Sequence, residues 1–235
     1  GGIGSTVHGE AFTTDYDLPN DTIYAETCAS IGLVFFARRM LELKPDRRFS
    51  DVMERALYNG VLSGMQHDGK RFFYVNPLEV IPGLSGQQQE YRHVLPKRPK
   101  WYACACCPPN IARLLTSLSV YAWGEAIHPK TTDADRTDTL YSHLYIGGTF
   151  TSKAGGGVTI KTETGYPWNG TVRYTVLPEQ TTADFTLSVR IPEWCSAFSF
   201  SLNGNVLDQE TLDIRDGYLY LNRSWKNGDL LELTL

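Results

Sequence analysis

A chain of 235 residues with 42% hydrophobic and 20% charged residues has the composition of a folded globular protein, which excludes a disordered one. Its net charge of −4 and pI near 5.7, without any Lys/Arg-rich run, argue against nucleic acid or an anionic membrane as partner. No apolar run is long enough to span a bilayer, and no signal peptide is visible.

Residues 1–20 form a Gly-, Thr- and Asp-rich stretch without periodicity, which reads as a loop. It carries His8, Glu10, Asp15 and Asp17, each of which taken singly reads as a solvated loop charge. Thr22 to Leu43 is expected as a helix, apolar around much of its circumference and therefore packed on both sides. Lys44-Pro45 ends it, and Ser50 or Asp51 is expected to cap a second helix that exits at Gly64. Glu54, inside that helix, reads as a surface carboxylate. Arg71–Asn76 is expected as a short strand, and residues 77–100 as a polar excursion over the surface.

The third helix is expected from Pro108 to about Trp123. Just ahead of it lies Trp101-Tyr-Ala-Cys-Ala-Cys-Cys-Pro-Pro-Asn110, with Cys104, Cys106 and Cys107. Proline suits the first turn of a helix, so these sulfurs sit at or before a helix N-terminus. The positive dipole end there favours thiolate over thiol. Cys28, with Glu26 two residues upstream, completes a set of three thiols and a carboxylate that can form a tetrahedral zinc site. The adjacent pair Cys106–Cys107 matches no general metal motif, so buried free thiols or a disulfide remain open readings.

Beyond Trp123 the composition changes. Residues 124–138 read as a polar connector, and every later apolar run is short and strand-like, with Asn203-Gly204 a strong hairpin signal. Strands at this spacing with no helix between them indicate an antiparallel β-sandwich over 139–235. The fold class is therefore α+β, with helices over 1–123 preceding the sandwich. Cys195 is expected as a packed thiol of the β part. Five cysteines cannot all pair, which favours reduced, metal-binding or catalytic use and hence the cytoplasm. The chain opens Gly-Gly-Ile without an initiator methionine and reads as a fragment or processed chain whose export signal, if any, lies outside it.

Three segments, taken in order, carry a resemblance: Gly-Glu10-Ala-Phe; Tyr-Asp-Leu-Pro-Asn-Asp-Thr-Ile-Tyr-Ala-Glu26-Thr-Cys28-Ala-Ser; and Cys104-Ala-Cys106-Cys107-Pro-Pro-Asn. With Arg-Ile-Pro-Glu-Trp194 and the Asn-Gly hairpin, the chain resembles the β-L-arabinofuranosidases of glycoside hydrolase family 127 over essentially its whole length. That resemblance implies the C-terminal part of an (α/α)6 catalytic barrel over 1–123, followed by the β-sandwich. It also implies a zinc ion held by Glu26, Cys28, Cys106 and Cys107, with Cys106 as nucleophile and Glu10 as general acid/base. Glu54 and Tyr74 match sugar-contacting positions, whereas Cys104 receives no role. The implied activity is retaining hydrolysis that releases L-arabinose from an arabinose-containing oligosaccharide or glycoconjugate. A non-catalytic carbohydrate-binding or structural zinc protein on the same scaffold is the alternative, as is a related hydrolase with another sugar preference. Three barrel helices cannot bury all their faces alone, so the chain is expected to need an N-terminal remainder of the same enzyme, or self-association.

Overall fold

The computed structural model of the chain describes residues 5–128 and 137–235. Residues 129–136, the centre of the expected connector, lie outside the described residues, as do residues 1–4. Contacts divide the chain into two compact units, one of Gly1–Met40 with Val52–Ser117 and one of Leu41–Asp51 with Leu118–Leu235. Among the described residues no helix is long and apolar enough to cross a membrane.

The first unit is helical. Helix α1 (Thr27–Leu43) begins five residues later than the apolar pattern predicts. Residues before it are captured by another segment: Glu26 forms an isolated antiparallel bridge with Val75. The Thr27 N–H donates to the Tyr74 carbonyl at 2.9 Å, and the Asn76 N–H donates to the Ala25 carbonyl at 2.8 Å. These bridges are what Arg71–Asn76 forms in place of a regular strand. Helix α1 buries one stripe, Thr27, Ser30, Ile31, Val34, Ala37 and Leu41, while Phe36 and Leu43 stay exposed. Its expected burial on both sides is not seen among the described residues.

Helix α2 (Arg47–Ala56) is capped by Asp46, not by Ser50 or Asp51, which lie inside it. The Asp46 carboxylate accepts from the Arg48 N–H at 3.0 Å, as an N-cap does. Glu54 on α2 is 7% exposed, so the surface reading fails: the helix is amphipathic and Glu54 shares its inner side with Met53 and Leu57. The helix continues through a π turn, Leu57–Val61, and a 3-10 turn, Leu62–Gly64. Gly60 and Gly64 lie against α1 so closely that an added Cβ would sit 2.5 Å from Ser30 Oγ and 2.8 Å from Thr27 Oγ1. Residues 77–100 run as turns with one 3-10 turn at Gln89–Tyr91. Helix α3 (Cys107–Thr116) is shorter than expected; it ends at Ser117 and is followed by the short α4 (Leu118–Ala122).

The second unit holds two sheets. In chain order the strands are β1 (Trp123–Ala126), β2 (Thr139–Ser142), β3 (Gly148–Ser152), β4 (Val158–Thr164), β5 (Thr171–Pro178) and β6 (Thr182–Arg190). Then come β7 (Ser199–Leu202), β8 (Asn205–Val206), β9 (Ile214–Arg215), β10 (Tyr218–Lys226) and β11 (Asp229–Thr234). One sheet runs β1-β2-β6-β10-β9 and the other β3-β4-β5-β11-β7-β8. They pack face to face: the Trp123 ring stacks on Phe150 at 4.8 Å, and the Ser142 and Tyr174 hydroxyls lie 2.8 Å apart. Among the described residues every strand pairing is antiparallel except β2 with β6, so the first sheet is mixed. Asn203 and Gly204 both have positive φ, 54° and 81°, and close the expected two-residue hairpin between β7 and β8. Cys195 is only half-buried, its thiol donating to the Ala197 carbonyl, so it is not the packed thiol expected.

Candidate active site

The site is assembled in the first unit at two helix starts. Cys28 occupies the first turn of α1, and Glu26 is fixed just before it by the bridge to Val75. Cys106 is the N-cap of α3, with helical φ and ψ of −70° and −31°, and Cys107 opens the helix. Glu26, Cys28, Cys106 and Cys107 place their ligand atoms within 4.8 Å of one another. The Cys28 and Cys107 sulfurs are 3.7 Å apart, Cys106 and Cys107 3.8 Å, and Cys106 Sγ lies 3.7 Å from Glu26 Oε1. All five cysteines are free thiols, so no disulfide joins the adjacent pair.

The electrostatics of this group are unfavourable as it stands. Burial, then the nearby Glu10 charge, holds the Glu26 carboxyl above the ordinary carboxylate range. Burial first and the neighbouring Cys28 next push the Cys106 and Cys107 thiols up as well. The helix start offers less relief than the sequence promised. Pro108 and Pro109 have no N–H, so two donors that would favour thiolate are missing from the first turn of α3.

Around the group runs a row of rings: Phe72 to Tyr102 at 5.1 Å, Tyr102 to Tyr74 at 5.7 Å, Tyr74 to Tyr24 at 6.4 Å and Tyr24 to His93 at 6.1 Å. The Tyr24 hydroxyl donates to Glu10 Oε1 at 2.9 Å. Tyr74 lies beside Cys106 and Tyr24, and burial raises both phenols well above the usual tyrosine range. Two tyrosines thus stand by the site, Tyr24 at Glu10 and Tyr74 at Cys106. The structure brings together Glu26, Cys28, Cys106, Cys107, Tyr74 and Glu10. Glu54 is buried on α2, outside the group of four, and Cys104 is exposed. Sequence reasoning missed Tyr24; its one signal is a bulky phenol two residues ahead of Glu26.

Two family models cover the chain. One described as β-L-arabinofuranosidase, GH127 catalytic domain, matches residues 1–120, and one described as β-L-arabinofuranosidase, GH127 middle domain, matches 139–235. The chain belongs to glycoside hydrolase family 127. Among curated family 127 proteins it is 41% identical to a non-reducing end β-L-arabinofuranosidase of Bifidobacterium longum subsp. longum, over 100% of this chain and 34% of that protein. Among solved structures it is similar to a GH127 β-L-arabinofuranosidase of Geobacillus stearothermophilus T6, with TM-score 0.89 and 51% identity over 100% of this chain and 35% of that one. A further GH127 β-arabinofuranosidase matches at TM-score 0.81 and 36% identity, over 99% of this chain and 35% of that one. This family 127 chain thus spans about a third of the length of these relatives.

Proposed function

We propose that this chain is the zinc-binding, catalytic portion of a retaining glycoside hydrolase that releases L-arabinose from β-L-arabinofuranosides, and that its helical unit is the C-terminal part of an (α/α)6 barrel. The observation that carries the chemistry is the cluster of Glu26, Cys28, Cys106 and Cys107, with Glu10 beside it held by the Tyr24 hydroxyl. The β-L-arabinofuranosidase activity of the relatives supports the choice of sugar.

The donor set fits zinc. Ligands about 2.3 Å from a tetrahedral centre lie roughly 3.8 Å apart, which matches the separations of 3.7 and 3.8 Å from the Cys107 sulfur to those of Cys28 and Cys106. Three thiols and a carboxylate crowded together, each disfavouring charge on the others, ask for a cation. Held by Glu26, Cys28, Cys106 and Cys107, zinc supplies the positive charge that keeps the thiols deprotonated near neutral pH.

Hydrolysis then takes two displacements. Cys106 thiolate attacks the anomeric carbon as Glu10 gives its proton to the departing sugar oxygen, so a C–S bond forms and the glycosidic C–O bond breaks. Glu10, now a carboxylate, takes a proton from water, whose oxygen attacks the same carbon. The C–S bond breaks and the thiolate returns. Two inversions retain the configuration. Tyr24 orients the Glu10 carboxyl, Tyr74 holds the Cys106 sulfur, and Tyr74 and Glu54 meet the arabinose hydroxyls.

The test is made on the full-length protein with aryl and alkyl β-L-arabinofuranosides. Glu10→Gln is expected to lower kcat/KM on the alkyl glycoside on the order of 10²–10⁴-fold, and far less on an activated aryl one that needs no proton. Arabinose release that survives both Glu10→Gln and Cys106→Ser would refute the catalytic assignment and leave a non-catalytic zinc protein.

A further inference from the structure

Two cation-bearing segments come together in the helical unit. The Phe72 N–H donates to the Pro99 carbonyl at 3.2 Å, so the turn at 66–71 lies against residues 97–100. The turn supplies Lys70 and Arg71, and the second segment supplies Lys97, Arg98 and Lys100. Asp68 is the one acid in the two segments, and its carboxylate accepts from the Lys70 N–H at 3.0 Å. Each run is short in sequence, and the pairing joins them into a single cationic patch.

The local backbone holds this patch in place. Arg98 is turned inward: its guanidinium lies over the Phe73 ring, 4.7 Å from the centre, and donates to the Ser63 carbonyl. That anchor, with Pro96 and Pro99 restricting the chain on either side, fixes the segment and leaves Lys97 and Lys100 exposed. Lys70 is exposed as well. Among the described residues, Lys70, Arg71, Lys97 and Lys100 have no ion-pair partner. Elsewhere exposed cations are met by acids, Lys44 by Asp216, Lys161 by Glu163 and Arg173 by Glu232. Trp101 follows directly and is 66% exposed. The next ring, Tyr102, lies 5.1 Å from Phe72 and 5.7 Å from Tyr74, so the patch runs on into the aromatic row beside Cys106. Six residues of chain hold Lys100 within roughly 22 Å of Cys106.

Unpaired lysines on a fixed segment suit an anion with separated charges, and they lose little freedom on binding it. An exposed indole face suits the C–H face of a sugar ring. A uronate joins the two, since it carries one carboxylate on each ring. A nucleic acid, with its dense charge, would meet the field of a chain whose net charge is −4. We propose that this patch docks a uronate-bearing stretch of the glycan from which arabinose is released, a few rings away from the cleaved bond. The release of arabinose rests on the hydrolase reading above, whereas binding of the acidic glycan rests on the patch. Lys70, Lys97 and Lys100 supply the charge, and Trp101 supplies the ring contact.

Binding is measured by calorimetric titration of the full-length protein with three probes. These are oligogalacturonate, a neutral arabino-oligosaccharide, and poly-L-glutamate as a polyanion without sugar rings. Lys70→Gln/Lys97→Gln/Lys100→Gln is expected to raise the Kd for oligogalacturonate roughly tenfold, as loss of three exposed ion pairs implies, and added salt should narrow the difference. The neutral oligosaccharide should bind the triple variant and the unmodified protein alike. Trp101→Ala should weaken oligogalacturonate and leave poly-L-glutamate unchanged. An unmodified protein that does not bind oligogalacturonate, because the rest of the protein covers these lysines, overturns the proposal. So does a triple variant that keeps its melting temperature and its affinity. Poly-L-glutamate bound more tightly than oligogalacturonate would overturn the sugar assignment. Hydrolysis of a nitrophenyl β-L-arabinofuranoside should be unchanged in the triple variant. An unmodified protein that cannot hydrolyse it refutes the hydrolase reading instead, and the titrations still decide the patch.

Discussion

The two units bury polar groups in opposite ways. In the β unit the fully buried Arg190 meets the Asp51 carboxylate and lies over the Tyr145 ring, 4.9 Å from its centre. Asp229 in the same unit accepts from the Lys226 N–H and the Asn203 amide. Both of these buried charges have an opposite charge or a donor beside them. In the helical unit, Glu26 and three thiols are crowded together, and the charges acting most strongly on them are those of other acids and thiols. Burial without counter-charge costs stability unless something else is bound. What separates this cluster from the buried polar groups of the β unit is therefore the sign of its neighbours, not burial itself.

The contrast breaks most completely at the cluster. Cys28→Ser removes one of four donors and does not restore a charge. Zinc affinity, measured by competition with a chromogenic chelator, is expected to fall by more than the roughly 100-fold that follows loss of a residue merely supporting a ligand. The melting temperature of the unmodified protein should drop on chelation and recover on adding zinc. Cys104→Ser, by contrast, should leave the metal content at one ion per chain. A cluster variant that keeps full zinc would show that these thiols are merely buried.

Much of this arrangement is legible in the sequence, and the misses share a cause. The group Glu26, Cys28, Cys106 and Cys107 assembles as the ligand chemistry implies, and the Asn203-Gly204 turn follows from its local backbone preference. Where the reading fails, a distant segment decides. Residues 22–26 are apolar at helical spacing, yet pairing with 74–76 holds them extended. Trp123 closes an apolar helical run but is claimed by β2, where it faces Ser142. The parallel pair β2–β6 has no local signature at all. Likewise, residues 41–51 join the β unit through contacts such as Lys44 with Asp216 and Ser50 with Tyr218, which no periodicity announces. Tyr24 was invisible for the same reason, because its role exists only once Glu10 folds back onto it.

In the β unit the expected effect is smaller and tests the opposite half of the contrast. Arg190→Met leaves Asp51 without its cation and is expected to cost about 3–5 kcal/mol in urea unfolding. Arg190→Met with Asp51→Leu should cost less than the sum of the single changes, since no charge is then stranded. Additive losses would mean the pair is not coupled, and the pairing argument for this unit would fall.

The smallest effect concerns Asp46, at the start of α2. Its carboxylate accepts from the Arg48 N–H at 3.0 Å and from the Arg48 guanidinium at 2.7 Å. The guanidinium hydrogen bond, followed by the backbone N–H, holds its pKa below the usual aspartate value. Asp46→Ala removes the cap and is expected to cost about 1 kcal/mol at neutral pH. The sign of the pH dependence follows from the lowered pKa. A carboxyl that ionises more readily folded than unfolded stabilises the protein fully above its unfolded value, roughly pH 3.9, and loses that contribution as pH falls through the lower folded value. Asparagine caps a helix about as well as aspartate but carries no charge. The stability difference between the unmodified protein and Asp46→Asn should therefore be constant above about pH 5 and shrink steadily below pH 4. Urea unfolding of both proteins at a series of pH values measures this directly. A difference that grows on acidification would show that the Arg48 guanidinium does not govern Asp46, and that the cap alone fixes the start of the helix.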